Sequence, residues 1–355
     1  MIRKLIVVAT CLGTLAACGG GDPVLRGPSP AQLRAVERLS DQDFAVPVPG
    51  GQALLMPVFA DKKLIDPHPG IERVVIGVQD PARNAGLEFD RLTRLFADSP
   101  STMTIVPQFL AAQDTDRHRL GPDFARWTLD GWKDGGNSRP AAFADQGALA
   151  SSFEAIDAIL LFLADRQSFP DLKQVVLVGF GQTARFVQLY AATAQGLGAP
   201  ERAGIAVRFV VAAADTYVYF DEERPSRDDE SGFAEFDRRQ CNAFNYWPYG
   251  FVLPAPYASA SGTLARDQAR VYTRRDVVYL IGERDSDVGE RGCEARAQGR
   301  DRPERLTNYL HYLAKLNGGP VETHRRFAAP GVGADPVALY ASPCGRAALS
   351  GADKC

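Results

Sequence analysis

Residues 174–187, QVVLVGFGQTARFV, constrain this chain more than any other stretch. A seven-residue apolar run rich in valine reads as a strand buried on both faces. It runs into Gly179-Phe180-Gly181, and Phe186, Leu189, Tyr190 and Ala194 then recur at helical spacing. A strand turning through glycines straight into a helix belongs to α/β architecture. Two site motifs share that shape. A dinucleotide-binding turn is G-x-G-x-x-G/A, supplied here by Gly179, Gly181 and Ala184. A nucleophile elbow is G-x-S-x-G, with the serine at the tip of the turn. The tip here is Gly181, which carries no nucleophile.

The surrounding pattern favours a doubly wound, mostly parallel sheet. Residues 73–79, 102–109, 174–180, 205–214 and 276–282 are continuous apolar runs of strand character. Between them, Ser151 and Glu154 form a capping-box pattern, followed by Phe153, Ile156, Leu160 and Leu163 on one helix face. A last helix is expected near Pro303–Leu316, carrying Leu306, Leu310 and Leu313. Residues 110–148 and 216–272 fit neither element and read as long excursions over the site, at the strand C-terminal ends. No repeat and no second domain is visible in the 355 residues.

The dinucleotide reading, a nucleotide-binding oxidoreductase, requires the glycine turn in the first βα unit and an acid about 20 residues on. At least two strands precede this turn, Asp215 lies too far along, and Glu201 falls in a loop. A hydrolase explains more of the chain. From about residue 70 to 350, ARNA, IVPQF, GWKDGG, SSFEAID, FPDLKQVVLVGFGQTARFVQLYA, NYWPYG, LIGERDSD, CEARAQGRDRPER and APGVGADP occur in order. The chain resembles the α/β-hydrolase superfamily, in the bacterial lipoprotein branch related to secreted polyester depolymerases and feruloyl-esterase-like enzymes.

That resemblance implies a triad in the order nucleophile, acid, base. The nucleophile position falls on Gly181. The acid falls on Asp285, with Asp287 as second choice. The base position, where relatives have histidine, falls on Ala334. Phe180 replaces a histidine that often precedes the serine, Thr183 replaces the second elbow glycine, and Gln79-Asp80 stands where His-Gly is common near the oxyanion hole. Removing the nucleophile or the base of a serine enzyme lowers kcat by about 10⁶, roughly 8 kcal/mol of barrier. The expectation is therefore a catalytically degenerate hydrolase fold that uses its former pocket for binding, with Asp285 a vestigial acid. Trp127, Trp132, Asn245, Tyr246 and Trp247 are its candidate binding residues, for a small-molecule, polyester or glycan ligand. The alternative is an active carboxylic-ester hydrolase with a non-standard nucleophile. Thr183, Ser259 and Ser261 have no base nearby in sequence, and His324 reads as packing. No cofactor and no metal is implied.

The first 17 residues read as a signal peptide: Arg3 and Lys4, then a short apolar run, then LAAC. The run is too short to span a bilayer. LAAC resembles the bacterial lipobox, which makes Cys18 the lipid acceptor and the membrane a partner. Gly19 resembles the pattern exported to the outer membrane. Residues 18–40 read as lipidated cysteine and tether, and 41–355 as the domain. Losing Arg3 and Lys4 takes the formal charge from −3 to −5, which gives no footing to a nucleic-acid partner. RDRPER, Arg300–Arg305, interleaves acids with its arginines and reads as a solvated helix start. Four cysteines remain in an oxidising compartment, with no C-x-x-C pair and scattered histidines, so disulfides are favoured over zinc. The expected pairs are Cys241–Cys293, pinning an excursion, and Cys344–Cys355, closing a short C-terminal loop.

Overall fold

The computed structural model describes residues 28–48, 51–140, 149–227, 229 and 231–355. Cys18 and the expected signal peptide lie outside them. In chain order the strands are β1 (Asp43–Val46), β2 (Leu54–Ala60), β3 (Arg73–Gly77), β4 (Thr102–Pro107) and β5 (Gln174–Phe180). There follow β6 (Ala206–Ala212), β7 (Glu223–Pro225), β8 (Phe233–Glu235), β9 (Asp276–Gly282) and β10 (His324–Ala329). Eight of them form one sheet in the order β1-β2-β4-β3-β5-β6-β9-β10, and β7-β8 form a separate hairpin. β1 and β2 pair antiparallel with their neighbours, while the six strands from β4 to β10 run parallel.

The valine and isoleucine runs form the centre because both faces of the parallel strands are covered. Val175, Val176, Leu177 and Val178 of β5 are all buried, as are Val277 to Ile281 of β9. Helix Ser152–Leu163 starts as expected: Ser151 Oγ accepts from Phe153 N at 3.1 Å and Glu154 accepts from Ser151 N at 2.6 Å. Helix Gln182–Thr193 is buried from Thr183 onward, which makes it the central helix of the fold. Helix Arg302–Asn317 is also formed, but helices Pro336–Ala341 and Pro343–Ser350 follow it, so it is not the last.

Two sequence readings need correction. β1 and β2 were not visible: β1 is four residues long, and the pairing partner that makes β2 a strand is β4, about 50 residues away. The expected tether also ends earlier than residue 40. Ser29 caps a short helix, Pro30–Leu33, and Val36 is buried with its N–H on Asp114. Arg83, fully buried, binds Asp114 and the carbonyls of Gln32 and Arg34. A buried guanidinium needs several acceptors, and this segment supplies two.

Both expected disulfides are formed, Cys241–Cys293 with Cα atoms 5.6 Å apart and Cys344–Cys355 with 4.6 Å. Among the described residues no helix is long and apolar enough to cross a membrane.

Candidate active site

Chain order reverses at β3, which lies between β4 and β5, so β3 and β5 flank a topological switch point, where open α/β sheets place their sites. Gly181 stands there, one residue past β5, with φ 61° and ψ −120°. That region is strained for any residue bearing a Cβ and persists only where the surroundings impose it. They do so here. Gly181 N donates to Ala212 O at 3.0 Å, and a Cβ on Gly179 would lie 2.3 Å from Thr183 O, so helix and strand meet at closest approach. The turn is a tight strand-to-helix junction with glycine at its tip.

A Cβ at Gly181 would lie 3.5 Å from an Arg302 guanidinium nitrogen and 3.9 Å from Asp215 Oδ1. Arg302 opens its helix and reaches back over the turn. It holds Asp215 through Nε and NH2, both at 2.7 Å, lies 3.2 Å from Asp287 Oδ2 and packs over the Phe180 ring. Its NH1 faces Asp285 Oδ2 at 3.9 Å, and both of those buried atoms lack a hydrogen bond among the described residues. Asp285 accepts from Asp287 N at 2.9 Å through its other oxygen. Burial raises the pKa of Asp285, with Arg302 opposing; the same holds for Asp215.

A second ionic group closes over the first. Arg185 donates to Glu290 at 2.7 Å and Thr216 at 3.0 Å and pairs with Asp134, while Tyr249 donates to Glu290 at 2.9 Å. Burial alone would raise Glu290; Arg185, Tyr249 and Thr216 outweigh it and hold its pKa below the usual value. Arg305, fully buried, binds the carbonyls of Asp215, Val288 and Glu290. The expectation of a solvated helix start at 300–305 is thus overturned for Arg302 and Arg305, while Arg300 stays exposed. Sequence reasoning missed them because interleaved acids suggested local pairing; the partners lie on β6 and β9 loops instead.

Ala334 sits in the turn after β10, which packs against the acid-bearing turn: Arg284 N donates to Val332 O at 2.8 Å. The turns that carry Asp285 and Ala334 are therefore neighbours. His324 begins β10, opposite Val277 at the start of β9, the far end of the sheet from Gly181. It is clamped between Tyr279 Oη and Tyr272 O, both at 3.0 Å. His118 bonds Val36 O, and His68 packs at a tilt against Phe169. Thr183 Oγ1 is taken by Phe180, accepting from its N–H and donating to its carbonyl. Gln79 is fully buried and lashes its amide to both backbone groups of Phe109, so its side chain is committed to joining the ends of β3 and β4.

The aromatic platform is corrected. Trp127 and Trp132 are 2% and 0% exposed, packed around Phe109 at centroid distances of 5.3 and 5.4 Å. They belong to the core because the turn 131–134 folds inward against helix Gln182–Thr193. Asn245 is buried and accepts from Arg224; Trp247 donates to Asp134 O. Of the five, only Tyr246, at 42%, is exposed. Among the described residues, one grouping has metal-ligand spacing, Cys241, Cys293 and Glu294, and both its sulfurs are in a disulfide.

No family model and no curated protein matches this chain. Solved structures do. Poly(aspartic acid) hydrolase-1 from Sphingomonas sp. KT-1 superposes with a TM-score of 0.53 at 18% identity, over 88% of this chain and 98% of that one. A poly(3-hydroxybutyrate) depolymerase from Bordetella parapertussis gives 0.53 at 17% identity, over 84% and 86%. The fold is that of the α/β-hydrolases.

Proposed function

We propose that this α/β-hydrolase-fold chain is catalytically degenerate, acts by binding rather than by hydrolysis, and is held at the outer membrane by lipid on Cys18. The observation that carries the reading is the elbow itself: its backbone keeps the nucleophile's conformation, while the position holds glycine and Arg302 lies 3.5 Å from where a Cβ would be. Serine-type chemistry needs a hydroxyl, a base to take its proton and a carboxylate to orient the base. Only the carboxylate, Asp285, remains, and it faces a guanidinium, which cannot accept a proton. With Trp127 and Trp132 in the core, binding falls to the outer parts of the excursions, where Tyr246 is exposed.

The two solved structures compared above are a hydrolase and a depolymerase, and that favours the other reading, an active carboxylic-ester hydrolase with a displaced nucleophile. One experiment separates the two. The protein is incubated with a fluorophosphonate probe and assayed on short-chain nitrophenyl esters. The degenerate reading expects no labelling and no hydrolysis above buffer. Stoichiometric labelling mapped to one residue overturns it and identifies the nucleophile.

A further inference from the structure

Outside the elbow the molecule carries a cleft of about 910 Å³ between the β7–β8 hairpin and the 288–311 segment. Its volume lies within the range of ligand sites. Among the described residues, Arg227, Arg291, Arg296, Arg300 and His311 line it with one lining carboxylate, Glu304, while Asp229 beside it bonds the lining Ser231. Glu304 is committed, since its Oε2 accepts from Arg300 N at 2.7 Å. Arg300 is paired with Asp301, and Arg296 bonds the carbonyl of Arg291. Arg227 and Arg291 have no side-chain partner among the described residues. Four guanidiniums thus line one concavity of a protein whose overall formal charge is −3.

The wall bearing these groups is held in place. Cys241–Cys293 ties it to the 241–250 excursion, and Gln298 bonds both backbone groups of Tyr217 at 2.8 Å. Asn308 donates to Gln298 O at 2.8 Å, and buried Arg305 lies behind the floor, bonded to Gly299 O. A fixed backbone leaves less ordering for a ligand to offset. Phe233 adds one apolar face.

We propose that this cleft binds a short linear oligoanion, with several carboxylate or phosphate groups along one chain. The cations come from three separate segments, at 227, 291–300 and 311, so one small monoanion cannot meet them all. Guanidinium forks suit carboxylate and phosphate alike. The proposal stands apart from the fate of Gly181, because Gly181 does not line the cleft.

The test is calorimetric titration of the disulfide-intact protein with inorganic tripolyphosphate and with triglutamate, at low and physiological salt. Saturable binding of either probe, weakening as salt rises, is expected, and the stronger probe assigns the chemical source. Arg227→Gln combined with Arg291→Gln should weaken it by roughly tenfold or more. Both residues are exposed, so folding is preserved, and an unchanged melting curve checks this. Arg270→Gln, exposed and outside the cleft, should bind as the parent does. Absence of saturable binding by both probes, or unaltered affinity in the double variant, overturns the proposal.

Discussion

Gly181 sets the backbone of the turn after β5. Its φ of 61° is readily adopted by glycine and costs any other residue roughly 1–3 kcal/mol. Gly181→Ser should therefore lower stability by about that amount in a denaturant titration. Its hydroxyl would face Arg302, so the variant should stay unlabelled by fluorophosphonate. His324 carries a different prediction. Burial pushes its pKa down to about 4, below the ordinary value near 6.5, so the folded protein keeps it neutral. The unfolded chain binds the extra proton first as pH falls, and stability is lost between about pH 6.5 and 4. Glu88, raised by burial to about 7, works with the opposite sign, so the parent's total slope is blunted. The clean measurement is a difference. Between pH 7 and pH 5 the parent should lose about 2 kcal/mol relative to His324→Gln. Equal losses in both proteins would remove His324 from the acid response.

The elements show where reading ahead works. β5, β9 and the helix after Ser151 were legible because their signals are local: an unbroken apolar run, or a capping box followed by one apolar face. β1 and the β7–β8 hairpin were not, because strands of three or four residues exist only through partners supplied from elsewhere, and seven-residue β2 takes its partners from β1 and β4. The disulfides staple the elements that the sheet does not hold. Cys241 and Cys293 are separated by 52 residues, a loop for which chain entropy gives about 4 kcal/mol; Cys344–Cys355, separated by 11, gives about 3. Replacing Cys241 and Cys293 by alanine should lower stability by ~2–4 kcal/mol and expose the 216–272 amides to hydrogen exchange more than those of β5. Uniform exchange gains across the sheet would show that the bond does not act locally.

For the whole molecule, the proposed lipid on Cys18 sets where the protein sits. Changing Cys18→Ala should move the protein from the membrane fraction to the soluble one if lipid on that residue anchors it. An unmodified Met1 terminus in mass spectrometry, or a soluble parent, would count against an anchor at Cys18.

The sequence by itself determined the sheet's central strands, each an unbroken apolar run within a short window. The triad positions at 181 and 334 were read through the family resemblance, and the expected disulfides join cysteines 52 and 11 residues apart. The tertiary structure alone decided what lies beside Gly181. Arg302 lies 121 residues beyond Gly181, and its partners Asp215 and Asp287 come from the ends of two other strands. It also decided that Trp127 and Trp132 are core rather than platform. An indole in a loop rich in glycine and charge looks the same in sequence whether it faces solvent or Phe109. Burial of that kind depends on which surfaces the chain brings together, and no local pattern records that.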